Sequence, residues 1–312
     1  MTITQLKYAL AIAEHKNFTK AAEKCFVTQP TLSTQIQKLE DELDVQIFDR
    51  SKKPIELTDV GRKIVQQAKN IVDESERIQD IVDQQKGFIG GEFRIGIIPT
   101  VMPTLLPMFL KSFIKRYPKV RLKIEELTTE EIIIRLMDGH LDAAIAATPL
   151  EHDTIKERVL YYEPFVGYIP DDHRLKDKKK IDVSDLDLND MLLLEDGHCF
   201  RDGVLNLCKA FKSHEDDTFQ LESGSIETLV KLSNEGLGMT LLPYLNTLDL
   251  NEKMSKMLRH FNEPSPAREV SIIYHKNELK MQIIDALHNV ISGVIRGAIA
   301  FENVKVISPL PK

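Results

Sequence analysis

The residues with the most chemistry in this 312-residue chain are its cysteines, Cys25, Cys199 and Cys208. A cysteine is nucleophilic only as its thiolate, so a reactive one needs neighbours that favour the charged form. Cys199 has His198 and Arg201 beside it, either of which would favour the thiolate, and Asp196 and Asp202, which would oppose it. The competing reading is that Cys199 and Cys208 are small buried hydrophobes, a common fate for a free cysteine. Residue type and spacing leave both readings open. Cys25 sits on the apolar face of a short helix and reads as core. A zinc site built from His198, Cys199 and Cys208 is not expected, because their spacing is not that of a compact metal knuckle.

The compartment bears on what a cysteine can do. Met1–Gln5 lacks a basic start followed by an apolar stretch, so a cytoplasmic location is expected. No apolar run approaches roughly 18 residues, and no membrane span is expected. In a reducing cytosol these cysteines would not form a standing disulfide framework, and any disulfide would be transient and regulatory. Hydrophobic residues make up 42% and charged residues 29%, an ordinary globular composition, and the length suits about two domains. The net charge of −7 does not advertise nucleic-acid binding, yet phosphate contacts need only a few well-placed cations.

The elements that would position these residues fall into two styles. Up to about residue 58 the chain reads as short helices and a wing. Thr2 and Gln5 have capping-box spacing, followed by Leu6, Ala9, Leu10 and Ala13 on one face. A second helix is expected to start at Thr19 as N-cap, and a third at Thr28, with Pro30 tolerated in its first turn. Leu32, Ile36, Leu39 and Leu43 give that third helix a buried stripe. Gln46 to Leu57 reads as a β-hairpin. A long helix over roughly Asp59–Lys86 carries Ile64, Ala68, Ile71, Ser75, Ile78 and Val82 at alternating spacings of four and three, a seam that wants a partner helix. Gly87, Gly90 and Gly91 mark a linker. From Phe93 onward, strands and helices alternate, with strands expected at Phe165–Ile169 and Met191–Leu194 among others, which predicts an α/β domain with a largely parallel sheet. Residues from about Phe301 to Lys312 have no evident place.

Phe18-Thr19, Ala21-Ala22, Val27-Thr28-Gln29-Pro30-Thr31-Leu32-Ser33, Ile36, Leu39-Glu40, Leu43, Phe48, Arg50, Thr58 and Gly61 together resemble the DNA-binding head of the LysR-type transcription regulators. Gly236-Leu237-Gly238-Met239-Thr240-Leu241-Leu242-Pro243 is similar to that family's effector-domain signature. Within the family, Glu195-Asp196-Gly197-His198-Cys199-Phe200-Arg201-Asp202 with Cys208, Ile98-Pro99-Thr100 and Thr129 resemble the peroxide-sensing OxyR group. The resemblance implies a winged helix-turn-helix over 1–58, a linker and dimerisation helix over 59–87, and a periplasmic-binding-protein-like effector domain over 92–300. That domain would comprise two α/β subdomains, about 92–162 with 268–300, and about 163–267.

By the same resemblance, Cys199 is the thiol that reacts with hydrogen peroxide and Cys208 the one that resolves it. Attack on peroxide expels hydroxide, so hydrogen-bond donors should help, and Thr100, Thr129 and His198 are candidates, with Arg201 favouring the thiolate. Both threonines have an alternative role at helix starts. If Asp202–Lys209 is helical, the thiols lie more than about 10 Å apart, beyond the ~7 Å Cα limit for bridging. A disulfide would then require the segment to refold. For DNA, Gln29, Pro30, Thr31, Ser33 and Thr34 would meet the major groove, and Arg50, Lys52 and Lys53 would meet phosphates. Glu40-Asp41-Glu42 should point away from the duplex. Promoter DNA, hydrogen peroxide and RNA polymerase are the implied partners, in a homotetramer with no membrane association. No cofactor, metal or enzymatic activity is implied. The alternative reading is a regulator of the same family that answers a small metabolite held between the effector subdomains.

Overall fold

The structure, a computed structural model, describes residues 1–85, 89–208, 224–299 and 304–310. Lys86 and Gly87 at the expected end of the long helix, Lys209 and Phe301 lie outside the described residues. Contacts divide the chain into two compact units, Met1–Phe88 and Ile89–Lys312.

The first unit begins with α1 (Ile3–His15), where Thr2 Oγ1 accepts from the Gln5 N–H at 3.2 Å and the Gln5 side chain accepts from the Thr2 N–H at 2.8 Å. Helix α2 (Phe18–Lys24) starts earlier than its sequence suggests. Its cap is Asn17, whose Oδ1 accepts from the N–H groups of Thr19 and Lys20, so Thr19 is a capped residue and not the cap. Asn17 is extended, the conformation a cap requires, while Thr19 is already helical. Helix α3 (Gln29–Leu43) is capped by Thr28, as expected, with Pro30 in its first turn. Leu32, Ile36 and Leu39 are fully buried, whereas Leu43 is exposed, because the helix ends there on a left-handed Asp44. Strands β1 (Phe48–Asp49) and β2 (Glu56–Leu57) pair antiparallel as the wing. Helix α4 (Asp59–Gln85) packs Ile64, Ala68 and Ile71 against this core, but leaves Ile78 66% and Val82 39% exposed.

In the second unit, β3 (Gly91–Ile97), α5 (Met102–Arg116), β4 (Val120–Glu126), α6 (Thr129–Met137) and β5 (Ala143–Thr148) form a parallel β4-β3-β5 layer with its helices. The long strand β6 (Ile155–Tyr168) follows, then β7 (Lys180–Ile181), α7 (Cys199–Leu207), α8 (Ile226–Asn234), β8 (Thr240–Pro243), α9 (Tyr244–Thr247), α10 (Glu252–Ser255) and β9 (Leu258–Phe261). Strand β10 (Ser265–His275), α11 (Met281–Ile295) and β11 (Val304–Val306) complete the unit. The sheet order is β4-β3-β5-β10-β6-β9-β7, with β11 on β10 and β8 on β6.

The sheet is mixed and not largely parallel: β10 runs antiparallel to both β5 and β6, and β6 antiparallel to β8 and β9. Strand direction depends on which neighbours a strand meets, which periodicity does not encode. Met191–Leu194, expected as a strand, makes only an isolated bridge from Met191 to Met239. Strand β6 begins ten residues before the expected Phe165, because Lys156-Glu157-Arg158 and Glu163-Pro164 interrupt its apolar run. Among the described residues, two large apolar clusters fill the unit, beside a small one of Tyr168, Val230, Leu242 and Met257. One gathers Phe93, Ile95, Phe109, Phe113, Ile145 and Leu287, and the other Phe165, Ile169, Leu192, Phe200, Leu229 and Leu241.

Candidate redox site and nucleic-acid interface

Helix α7 joins the two clusters. Cys199, its first residue, is buried in the first cluster, while Phe200, Val204 and Leu207 belong to the second, against which Cys208 packs as the C-cap residue. Both thiols are free. A helix rises about 1.5 Å per residue, so the nine-residue α7 holds its ends about 13 Å apart. That is well beyond the ~7 Å Cα limit for a disulfide.

Burial pushes the Cys199 thiol up from its ordinary range. Opposing that are the Arg268 guanidinium, the Thr129 hydroxyl and the Ala147 backbone N–H, while Asp202 adds to the rise. The net direction is upward. Desolvation of a small anion outweighs one partly neutralised cation. Cys208 is pushed further, to about 11, by burial and by the carboxylates of Asp187 and Asp190.

The cation at the site is Arg268, which sequence reasoning missed. It is 3% exposed. Its Nε and Nη2 donate to Glu163 Oε2 at 2.9 and 2.7 Å, and its Nη1 donates to Thr100 Oγ1 at 2.8 Å. Nη2 also donates to the Thr100 carbonyl at 3.1 Å, and the guanidinium lies over the Phe200 ring, 5.3 Å from its centroid. Glu163 Oε1 accepts from the Leu245 N–H at 2.8 Å, so both ends of this buried carboxylate are satisfied. Burying an ion pair is tolerable only when such bonds are complete. The signal in the sequence is faint: an arginine and a glutamate in two separate strands, far apart in the chain, brought opposite each other by the β10–β6 register.

Of the expected site residues, the structure brings Thr100 and Thr129 to Cys199 and Arg268, and turns Arg201 elsewhere. Arg201 Nε pairs with Asp196 at 2.9 Å and its Nη1 donates to the Leu194 carbonyl at 2.8 Å. Residues two apart on a helix do not face each other, which is why Arg201 leaves Cys199. His198 is buried as the N-cap residue of α7, with Nε2 3.4 Å from Glu195 Oε1. Thr100 does not cap α5; its hydroxyl accepts from Arg268 instead. Thr128 closes a capping box with Glu131, which leaves Thr129 free for the site. The Thr129 hydroxyl is buried beside the sulfur but makes no well-formed hydrogen bond, and the Tyr161 hydroxyl, two residues before Glu163 on β6, is likewise buried without a partner. These two hydroxyls retain capacity for a small polar molecule.

In the N-terminal unit, Gln29, Pro30, Thr31 and Thr34 are exposed along α3 and Ser33 is half-buried. The wing is braced from beneath by Glu40. This buried carboxylate accepts from the N–H groups of Ile47 and Phe48 and pairs with Arg50 at 2.7 Å. Glu40 is therefore a structural bracket, and Arg50 is partly engaged, also lying over the Phe18 ring at 5.3 Å. Lys52 pairs with Glu56 at 2.6 Å, and Lys53 is exposed.

Two family models match the chain: the bacterial regulatory helix-turn-helix of the lysR family over residues 3–62, and the LysR substrate binding domain over residues 86–294. The chain belongs to the LysR family. Its relatives place it in the OxyR group. It is 35% identical over 274 residues to a hydrogen peroxide-inducible genes activator of Pectobacterium carotovorum, covering 88% of this chain and 90% of that one. It is 34% identical to the DNA-binding transcriptional dual regulator OxyR of Escherichia coli K12, with 88% and 89% covered. Full-length OxyR from Pseudomonas aeruginosa, in a cysteine-to-aspartate variant, matches with TM-score 0.73 and 35% identity over 94% of this chain and 98% of that one. A cysteine-to-serine mutant of Corynebacterium glutamicum OxyR with hydrogen peroxide bound matches with TM-score 0.64 and 29% identity over 95% and 93%. In LysR terms, the exposed face of α3 lies in the helix-turn-helix, and Cys199, Arg268 and Thr100 lie in the substrate-binding domain. No helix among the described residues is long and apolar enough to cross a membrane.

Proposed function

We propose that this LysR-family chain is a hydrogen-peroxide-responsive transcription regulator, switched by a reversible Cys199–Cys208 disulfide. The observation that carries this reading is Cys199 itself: a buried thiol at the start of a helix, flanked by Arg268, Thr129 and the Ala147 N–H, with a second thiol at the helix's other end. The Cys199 thiolate attacks one peroxide oxygen, the O–O bond breaks, and hydroxide leaves and takes up a proton to become water. Sulfur is oxidised and peroxide reduced. Thr129 and Thr100 supply hydroxyls for the peroxide oxygens, and His198 closes the N-terminal end of the site. Arg268 supports the negative charge on sulfur and on the departing oxygen, the role such preorganised cations play best in a dry site. Arg201 braces the loop ahead of α7 through Leu194 and Asp196.

The sulfenic acid on Cys199 then meets the Cys208 thiol: an S–S bond forms and water is released. Because α7 holds the two residues at opposite ends, closure unwinds it, and local chemistry becomes a rearrangement of the whole domain. In the head, Gln29, Pro30, Thr31, Ser33 and Thr34 enter the major groove of promoter DNA, and Arg50, Lys52 and Lys53 hold phosphates. The exposed Ile78 and Val82 on α4 take a second copy, and a dimer of such dimers acts on RNA polymerase.

The test is mass spectrometry of the reduced protein after brief, stoichiometric hydrogen peroxide. A Cys199–Cys208 disulfide that forms quickly and is absent in Cys199→Ser is the expected result. Thiols that stay reduced would sink the redox reading and favour a small-molecule effector.

A further inference from the structure

The C-terminal segment, which the sequence does not place, is tied to the helix that separates the two thiols. Strand β11 adds to β10 in parallel, with Val304, Lys305 and Val306 opposite Ser265, Pro266 and Ala267, and the Ile307 N–H donates to the Ala267 carbonyl at 2.8 Å. This anchors the segment immediately beside Arg268. The chain then crosses to α7, where the Asn206 side-chain amide donates both its hydrogens, to the Ser308 carbonyl at 2.9 Å and the Leu310 carbonyl at 2.8 Å. Ile307 packs against the cluster that holds Phe200, Val204 and Leu207. Pro309 is buried between the two carbonyls that Asn206 holds.

Asn206 stands two residues before Cys208, in the last turn of α7. That turn has to unwind if Cys208 is to travel about 13 Å to Cys199, a helix-length distance at 1.5 Å per residue. The amide can keep both bonds only while the last turn stays helical and the strap stays on β10. We infer that Asn206 and the 304–310 strap are a positioning element for the second thiol step: they hold α7 closed and set how fast the Cys199 sulfenic acid is captured by Cys208. The inference rests on the peroxide reading above. The chemistry it governs is the condensation of S–OH with S–H to S–S and water, which needs no further oxidant. Its consequence is a delay between sensing and switching, during which a sulfenic acid persists on Cys199. Oxidation in turn would release the strap from α7.

The experiment follows both thiol steps in the full-length reduced protein. Hydrogen peroxide is added in a rapid-quench series, the Cys199 sulfenic acid is trapped with dimedone, and sulfenic acid and disulfide are quantified by mass spectrometry. Asn206→Asp keeps the side chain's size but sets a carboxylate against two carbonyls. Ile307→Pro removes the strap's N–H anchor on Ala267 and its apolar packing, and leaves the α7 sequence and the Asn206 amide unchanged. Both variants are expected to leave the rate of Cys199 thiol loss within about twofold and to speed disulfide closure roughly five- to tenfold, as removal of one ordinary hydrogen bond (Ile307→Pro) or two (Asn206→Asp) from the strapped form would. A merely stabilising strap would alter the melting temperature and leave the two rates in their original ratio. Closure at the wild-type rate in both variants, after a normal first step, overturns the inference alone. A wild-type Cys199 that never oxidises overturns the peroxide reading, and this inference with it.

Discussion

Replacing Arg268 with methionine should separate the two roles of that guanidinium. Glu163 would remain 1% exposed, with one oxygen still accepting from Leu245 but the other stripped of both its donors. Thr100 would lose a donor to its hydroxyl and another to its carbonyl. Breaking one side of a buried ion pair typically costs about 3–5 kcal/mol, a large share of a domain stability of about 5–15 kcal/mol. Denaturant unfolding should therefore show a markedly lower midpoint for the second unit. The thiol would also lose the strongest influence opposing its burial, so Cys199 should be oxidised by peroxide roughly ten- to a hundredfold more slowly. The double variant Arg268→Met with Glu163→Gln separates these effects. Glutamine keeps an acceptor for the Leu245 N–H and leaves no buried charge, so most of the stability should return. The oxidation rate should not. If the double variant recovers the rate along with the stability, the cation acts on folding and not on sulfur. If the single variant oxidises at the wild-type rate, the electrostatic argument fails outright.

Two further outcomes follow from the same geometry. Cys208 ionises near 11 in the fold against 9.0 when free, so between those values the unfolded chain binds fewer protons and stability falls as pH rises. The half-buried thiol reduces the effect to about 1–2 kcal/mol, visible as the difference between wild-type and Cys208→Ser unfolding curves at pH 8 and 11; parallel curves would refute it. In the head, Glu40→Ala strands the buried N–H groups of Ile47 and Phe48 and should destabilise the wing by about 2–4 kcal/mol, weakening DNA binding in a fluorescence titration, while Arg50→Ala should cost little stability. Equal stability losses in the two variants would contradict the bracket role of Glu40.

The sheet illustrates why some of this was beyond sequence reasoning. Charged residues interrupt the apolar run of β6, so the sequence pattern marks a strand only from Phe165, yet Glu163 just before it is the residue that pairs with Arg268. Each is an improbable strand residue alone, and they become tolerable only when the β6–β10 register sets them opposite each other. Arg201, two residues away in sequence and the obvious cation, is carried away from Cys199 by helical geometry, and Arg268, 69 positions after Cys199, takes its place beside the sulfur. The strap over residues 304–310 carried no pattern, because its bonds use its backbone, paired with β10 and accepting from the Asn206 amide.

What the sequence determined by itself was whatever depends on local order. The capping residues Thr2 and Thr28, the buried stripe of Leu32, Ile36 and Leu39, the wing and the long α4 all follow from spacing, since helices and hairpins close their bonds within a short stretch of chain. The segment around Cys199, with Thr100 and Thr129, was legible only through its resemblance to the OxyR group, since residue type and spacing left the role of the thiols open. Only the tertiary structure decided the thiol's charge balance, the identity of its cation and the strap on α7. Those depend on burial and on residues far apart in sequence, and desolvation belongs to the folded interior, not to any stretch of residues.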